Sequence, residues 1–210
     1  MMKFYFTPGA CSIGIHILLE ELDLLFEAYV VNLPNGDQYQ PEFLAINPKA
    51  TIPVLVRDDG SALTEFQAIA YWLARSYPKA ALLPGDADGD ARVIELMDFV
   101  VGTIHGQGFI RIFVPEKFAA TADDVADTKN QGLKIVEQAF AVVDAQLPAG
   151  GYALGNFSIA DSALFYVEFW ADRAGIELPA KCRQHYRLML SRPAVRRVLM
   201  EEGYRPESLS

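Results

Sequence analysis

Cys11 is the residue whose type and position most clearly suggest chemistry. It follows an apolar stretch that Pro8-Gly9 ends, and it precedes a helix predicted over Ser12–Leu22. The first turn of a helix presents unpaired N–H groups and the positive end of the helix dipole, so this position favours the nucleophilic thiolate. A buried, apolar cysteine is the competing interpretation. Gly14 stands where a Cys-x-x-Cys pair would have its second cysteine, so Cys11 must work with an external thiol.

Two further segments could bind a peptide-like ligand. Pro53 opens a predicted strand, and a cis Ile52-Pro53 bond would leave the N–H and C=O of Ile52 free to pair with an extended peptide. A trans proline at the start of a strand is the alternative, and the sequence alone slightly favours it. Glu65-Phe66 opens a predicted helix, where amide groups would bind a carboxylate and Glu65 would bind an ammonium group. A plain helix start with an acidic first turn is the alternative here.

The chain also offers a histidine and a carboxylate on one predicted helix, over 91–117. Asp98 and His105 are seven residues apart, which places them on one face of an α-helix. Glycine is unfavourable inside a helix, so Gly102, Gly106 and Gly108 indicate close backbone approach or an opening beside a pocket. A lone helical histidine is more often structural than catalytic.

Other conspicuous residues are predicted to be structural. Phe157-Ser158-Ile159-Ala160-Asp161 has the pattern of a capping box, in which Ser158 caps a helix and Asp161 reaches back to the cap. The residues assigned to structure or core are His16, Cys182, His185, Trp72, Trp170, Phe109, Phe113 and Phe118.

These residues are positioned by two regions of different character. Residues 1–78 read as β-α-β-α-β-β-α, with a hairpin signal at Asp58-Asp59-Gly60. This order predicts an α/β thioredoxin-like domain with a mixed four-strand sheet. Residues 79–90 are predicted to be a linker, and 91–210 an all-α domain with helices over 91–117, 124–147, 158–175, 179–191 and 193–202.

The composition excludes several classes of function. The 210 residues carry a formal net charge of −9, from 18 basic and 27 acidic side chains, which argues against nucleic acid or an anionic membrane as a partner. The start of the chain lacks a signal-sequence pattern and no run approaches the ~18 apolar residues of a membrane helix, so a cytoplasmic location is expected. The two cysteines are expected to be free thiols, and the scattered histidines make a structural metal improbable.

Together these features resemble the cytosolic glutathione transferase family, and within it the bacterial beta class. The resemblance implies the two-domain glutathione transferase fold, a homodimer, and glutathione as co-substrate without a metal. The resembling segments are Tyr5-x-x-Pro8-Gly9-Ala10-Cys11-Ser12-x-x-x-His16-Ile17, Asn47-Pro48-Lys49-x-x-x-Pro53-x-Leu55, Asp58-Asp59-Gly60-x-x-Leu63-Thr64-Glu65, His105, and Phe157-Ser158-Ile159-Ala160-Asp161.

The same resemblance implies where glutathione would bind. Glutathione would lie along Ile52-Pro53, with its γ-glutamyl end at Glu65-Phe66 and its sulfur near Cys11. Asp98 and Gly102-Thr103-Ile104-His105 would complete the thiol site, with Cys11 and His105 as the catalytic residues. The sequence departs from the family at four places: Phe66 replaces a small residue, Pro34-Asn35-Gly36-Asp37 lacks a loop lysine, Phe6 replaces a tyrosine, and Ala50 replaces a glycine.

Three functions are compatible with this pattern. The first is a glutathione S-transferase that adds the glutathione sulfur to small electrophiles, with Cys11 near that sulfur. The second is a thiol-disulfide reductase, in which Cys11 forms a mixed disulfide that a second glutathione resolves. The third is a non-catalytic binding or carrier protein on the same fold, suggested by Phe66 and the absent loop lysine.

Overall fold

The computed structural model describes residues 1–209, which form two compact units. The first unit comprises residues 1–85 together with the described part of 189–210, and the second comprises residues 86–188. The division near residue 85 lies inside the predicted linker, and the last helix belongs to the first unit. The boundaries predicted at 78 and 91 stay a prediction.

The first unit contains the mixed four-strand sheet expected of a thioredoxin-like domain. Its strand order is β2-β1-β3-β4, with β1 parallel to β2 and the other two pairs antiparallel. The parallel pair confirms the predicted β-α-β crossover, and Asp58-Asp59-Gly60 forms the hairpin between β3 and β4. The strands are β1 (Met2–Phe6), β2 (Phe26–Val30), β3 (Val54–Val56) and β4 (Ala62–Thr64).

Helix α1 is buried on all sides, although the sequence predicts an amphipathic helix. Every residue from Ile13 to Leu19 is buried. The cause is packing from more than one direction, because α3 and α9 both contact α1, and Phe4 of β1 lies with its ring 5.7 Å from that of His16. The helices that begin and end within the first unit are α1 (Ile13–Glu21), α2 (Pro41–Leu44), α3 (Phe66–Ser76) and α9 (Pro193–Glu201).

The second unit is helical, and its first helix changes type along its length. Helix α4 (Ala87–Asp98) continues into a π-helical segment, Phe99–Phe109, and then into α5 (Ile110–Phe113). Asp86 caps α4 by accepting the N–H of Gly89, so the last four residues of the predicted linker are helical. The other helices are α6 (Val125–Gln146), α7 (Ile159–Ala174) and α8 (Ala180–Ser191).

Glycines allow α6 to approach the π-helical segment closely. A Cβ on Gly108 would lie 2.6 Å from Cγ2 of Val136, and one on Gly132 would lie 2.8 Å from the Gly108 carbonyl oxygen. The predicted close backbone approach is therefore confirmed at Gly108. Around Gly102 there is open space instead.

One helix of the described chain, Ala87–Phe113, is long and apolar enough to cross a membrane by length and composition alone. Its sequence contains charged residues and so lacks the uninterrupted apolar run that would have predicted it. A single helix of this kind is weak evidence for a membrane span, because core helices of other proteins have the same length and apolar composition.

Candidate active site

The loop between β1 and α1 carries Cys11 and is fixed by side chains at both ends. Ser12 Oγ accepts the N–H of Thr7 at 3.2 Å and donates to the Thr7 carbonyl oxygen at 3.1 Å. The N–H of Gly9 donates to Oε2 of Glu202 at 2.7 Å. Gly9 has φ of +73°, a left-handed conformation that favours glycine. Cys11 therefore sits on a rigid turn at the start of α1.

The electrostatics of Cys11 are set by two opposing effects. Burial raises the pKa of its thiol to about 12, and it outweighs the backbone N–H groups of Ser12 and Cys11, which lower it. The side chain is 8% exposed. The predicted amide groups do point at the sulfur, but the prediction of a thiolate is wrong, because desolvation favours the neutral thiol. Cys11 is a hydrogen-bond donor at neutral pH.

The Ile52-Pro53 peptide bond lies beside this thiol and is cis. The cis bond is thus confirmed against the trans alternative. Sγ of Cys11 lies 3.8 Å from the carbonyl oxygen of Ile52. Among residues 1–209, no protein group accepts the N–H of Ile52. Cys11 and the backbone of Ile52 therefore face one another, as the sequence predicts.

The turn that leads to Pro53 is held by a buried asparagine. Nδ2 of Asn47 donates to the carbonyl oxygen of Thr51 at 2.8 Å, and its Oδ1 accepts the N–H of Lys49 at 3.1 Å. Asn47 is fully buried. Ala50, within this turn, has φ of +55°, which explains why glycine is usual at this position in the resembling family.

Glu65 stands at the start of α3 in a strained conformation. Its φ is +72°, which is rare for a residue other than glycine and is typical of ligand-binding positions. Its carboxylate is paired with Nζ of Lys49 at 2.7 Å, and the same Nζ donates to Oγ1 of Thr64 at 2.9 Å. Phe66 is 4% exposed, so its side chain belongs to the core.

His105 lies in the π-helical segment of the second unit and is neutral. Burial lowers the pKa of its imidazole to about 4. Nδ1 lies 3.3 Å from the hydroxyl oxygen of Tyr166, and the ring packs edge-on against Trp170 with 4.8 Å between ring centres. At neutral pH this histidine can donate or accept a hydrogen bond but carries no charge.

The relation predicted between Asp98 and His105 rests on the wrong helical period. A π-helix closes i→i+5 hydrogen bonds and is wider than an α-helix, so a spacing of seven residues no longer returns to one face. Gly102 is exposed, Thr103 is half-buried and Ile104 is fully buried.

The ten predicted site residues divide between the two units. The first unit brings Cys11 together with Ile52-Pro53, and the negative charge of Glu65 contributes to raising the pKa of Cys11. The second unit holds Asp98 and the residues 102–105.

Comparison with known proteins identifies the family of this chain. The glutathione S-transferase N-terminal domain matches residues 9–76, and the corresponding C-terminal domain matches residues 119–199. Glutathione S-transferase GstA of Escherichia coli O157:H7 is 34% identical over 214 residues, which cover 96% of this chain and 99% of that protein. The chain belongs to the glutathione S-transferase family.

Solved glutathione S-transferases share the fold over nearly the whole chain. A glutathione transferase homologue from Sulfitobacter with bound glutathione has a TM-score of 0.89 and 30% identity, covering 96% of this chain and 98% of its own. A bacterial beta class enzyme from Sphingomonas chungbukensis has a TM-score of 0.81 and 30% identity, with the same coverage. The predicted family and fold are confirmed.

Sequence reasoning missed two residues that position this transferase's cysteine loop. Glu202 accepts the Gly9 N–H, and the hydroxyl of Tyr204 occupies the space that a Cβ on Gly9 would need. Both lie more than 190 positions from Gly9, and no local pattern connects them.

The assignment of Phe113 and Phe118 to the core is wrong. Their side chains are 51% and 44% exposed.

Proposed function

We propose that the protein conjugates the thiol of glutathione to small electrophiles, with Cys11 as the group that stabilises the reacting sulfur. The observation that carries this proposal is the 3.8 Å contact between Sγ of Cys11 and the carbonyl oxygen of Ile52. It places a thiol donor beside the backbone that would hold a peptide. The family is one that performs this conjugation, and the Sulfitobacter relative binds glutathione.

The first unit supports a defined pose for glutathione. The N–H and C=O of Ile52 would pair with the backbone of its cysteinyl residue, as in the addition of a strand to a sheet edge. The γ-glutamyl end would lie at Glu65-Phe66, where the start of α3 favours a carboxylate and the Glu65 side chain attracts an ammonium group. Lys49, paired with Glu65 at 2.7 Å, adds a cation there.

The raised pKa of Cys11 favours conjugation over disulfide exchange. With a pKa of about 12 the thiol keeps its proton and donates a hydrogen bond to the glutathione thiolate, which lowers the free energy of that anion. Glutathione releases its thiol proton to water, the thiolate attacks the electrophilic carbon, a C–S bond forms, and a leaving group such as chloride departs with its electron pair. A reductase mechanism would instead need Cys11 itself as the thiolate.

Asp98 and residues 102–105, in the second unit, stay predicted glutathione-binding residues. His105 would take part as a neutral imidazole, because burial lowers its pKa to about 4. The exposed rings of Phe113 and Phe118 offer apolar surface to a hydrophobic electrophile. We also propose a cytoplasmic homodimer, as the resemblance to cytosolic glutathione transferases implies; the two free thiols agree with a reducing compartment.

Steady-state kinetics with glutathione and a chlorinated nitrobenzene test the proposal. Wild type should form the conjugate, and Cys11→Ala should lose about 10- to 100-fold in kcat/KM, since a hydrogen bond to a charged group is worth about 1.5–3 kcal/mol. Cys11→Ser should retain more activity because it keeps a donor. Cys182→Ala, which removes the other free thiol, is the control and should behave as wild type.

Two outcomes would reject the assignment. Conjugation unchanged in Cys11→Ala, together with complete loss of disulfide reduction, would show that Cys11 serves disulfide exchange and not conjugation. Absence of glutathione binding in a calorimetric titration of wild type would make it a non-catalytic carrier.

A further inference from the structure

A histidine and two glutamates converge where α1 meets the end of α9, away from the proposed glutathione site. His16 and Glu20 are four residues apart on α1 and so project from the same face. Glu201 is the last residue of α9. One side-chain ligand atom from each of these three residues lies within 4.8 Å of the other two.

The imidazole of His16 is oriented by a buried carboxylate. Nδ1 lies 2.9 Å from Oε1 of Glu202, whose side chain is fully buried and whose other oxygen accepts the N–H of Gly9. A carboxylate can only accept, so Nδ1 is the donor in this hydrogen bond. Nε2 is the ring nitrogen on the side of Glu201. Metal-ligating histidines in proteins show this same arrangement, with the remote nitrogen donating to a carboxylate.

Nε2 faces the carboxylate of Glu201. It lies 3.3 Å from Oε2 of Glu201, close to the separation of about 3.4 Å between ligands of a tetrahedral ion with 2.1 Å bonds. Glu201 is 48% exposed in its side chain, whereas His16 is 3% exposed, so an ion would enter past Glu201.

We propose that Nε2 of His16 and the carboxylates of Glu20 and Glu201 bind a divalent ion of the Zn²⁺ class, with water at the remaining position. One imidazole and two carboxylates suit Zn²⁺ better than Mg²⁺ or Ca²⁺, which prefer oxygen ligands throughout. Sequence spacing predicts no metal site, because the third ligand comes from the other end of the chain. The site is independent of the proposed transferase activity.

Binding there would link the end of the chain to the cysteine loop. The ion would join α1 to α9, and Glu202 already connects His16 to Gly9. Arg197 is the competing cation, because its Nη1 lies 2.8 Å from Oε2 of Glu20. Zn²⁺ should therefore stabilise the first unit, and removal of Arg197 should strengthen binding.

Calorimetric titration of untagged, chelator-treated full-length protein with Zn²⁺ tests the site. Wild type should bind one ion and show a higher unfolding temperature with it. Glu201→Gln and Glu20→Gln should each weaken binding at least about tenfold, as loss even of an outer-shell partner does. Arg197→Gln should tighten it. Glu207→Gln removes one exposed carboxylate near the same chain end and should bind as wild type.

Co²⁺ absorption distinguishes this site from a cysteine site. The spectrum should lack the thiolate-to-cobalt charge-transfer band, and Cys11→Ser should bind as wild type. The proposal is overturned by absence of Zn²⁺ binding at millimolar concentration, by wild-type affinity in Glu201→Gln or Glu20→Gln, by weaker or unchanged affinity in Arg197→Gln, or by a sulfur band that Cys11→Ser removes. His16→Gln is not needed for the test, since this buried variant could fail to fold.

Discussion

The backbone N–H of Gly9 donates to Oε2 of Glu202 at 2.7 Å, which joins positions separated by 193 residues. Gly9 lies two residues before Cys11, and Glu202 caps α9. The geometry of the cysteine loop thus depends on the far end of the chain as well as on β1 and α1. The other oxygen of Glu202 faces His16 at 2.9 Å, so one buried carboxylate satisfies two groups.

Replacing Glu202 should destabilise the protein. Glu202→Ala leaves the Gly9 N–H and the His16 ring without their acceptor, and loss of a buried, charged hydrogen bond costs about 1.5–3 kcal/mol. Urea unfolding measures the effect as a lower midpoint. Glu207→Ala, at an exposed carboxylate, should change the midpoint little. Equal midpoints for the two variants would contradict the role assigned to Glu202.

The reactivity of Cys11 should rise steadily with pH. Its pKa of about 12 means that the thiolate fraction, and with it the alkylation rate, increases about tenfold per pH unit between pH 7 and pH 10. The rate of iodoacetamide labelling measures the reactivity of Cys11. Labelling of Cys11→Ser, in which only the buried Cys182 remains, gives the background to subtract. A rate that levels off near neutral pH would show a low-pKa thiolate instead.

Sequence patterns predicted the elements of this fold well because each pattern is local. The strands, the hairpin at Asp58-Asp59-Gly60 and the cap at Ser158 depend on neighbouring residues, and the structure has them within a few residues of the expected ends. The position of Cys11 at a helix start follows from the same local signals. The sequence alone left the cis and trans forms of the bond before Pro53 both open, and the structure has the cis form.

What the sequence could not supply depends on packing in three dimensions. The pKa of Cys11 is set by desolvation, which outweighs the local amides that the sequence reveals. The π-helical segment around His105 cannot be distinguished from an α-helix by apolar periodicity. The contribution of Glu202 has no sequence signal, because a contact across most of the chain leaves no spacing to detect.

Ala50 offers a stabilising substitution in the turn that precedes Pro53. A side chain at its φ of +55° costs about 1–2 kcal/mol, and glycine removes that cost while adding about 0.5–1 kcal/mol of unfolded-state entropy. Ala50→Gly should therefore raise stability by about 0.5–1 kcal/mol, seen as a higher unfolding temperature. Ala45→Gly is the control, because Ala45 has φ of −65° and is not strained, so this substitution should lower the unfolding temperature.

His185 should be the most sensitive buried position of the second unit. Its Nδ1 lies 2.8 Å from Glu168 and its Nε2 lies 3.0 Å from Asp161, and all three side chains are buried. Burial alone lowers the pKa of His185, but the two carboxylates outweigh it and raise the pKa to about 10. The folded protein thus holds a charged imidazole between two acids, one of which also caps α7 at Ser158.

The sign of the pH dependence follows from that shift. The folded pKa of about 10 exceeds the ordinary value of 6.5, so the stabilisation is complete below pH 6.5 and is lost as the pH rises towards 10. His185→Ala should cost about 3–5 kcal/mol at pH 6, because it leaves the buried side chain of Glu168 without its partner. Denaturant unfolding at pH 6 and pH 10 measures the difference in unfolding free energy between His185→Ala and wild type, which should be smaller at pH 10. The control, Gln184→Ala on the exposed face of α8, should stay close to wild type at both pH values. A gap that widens with pH would mean that the imidazole is neutral in the folded state.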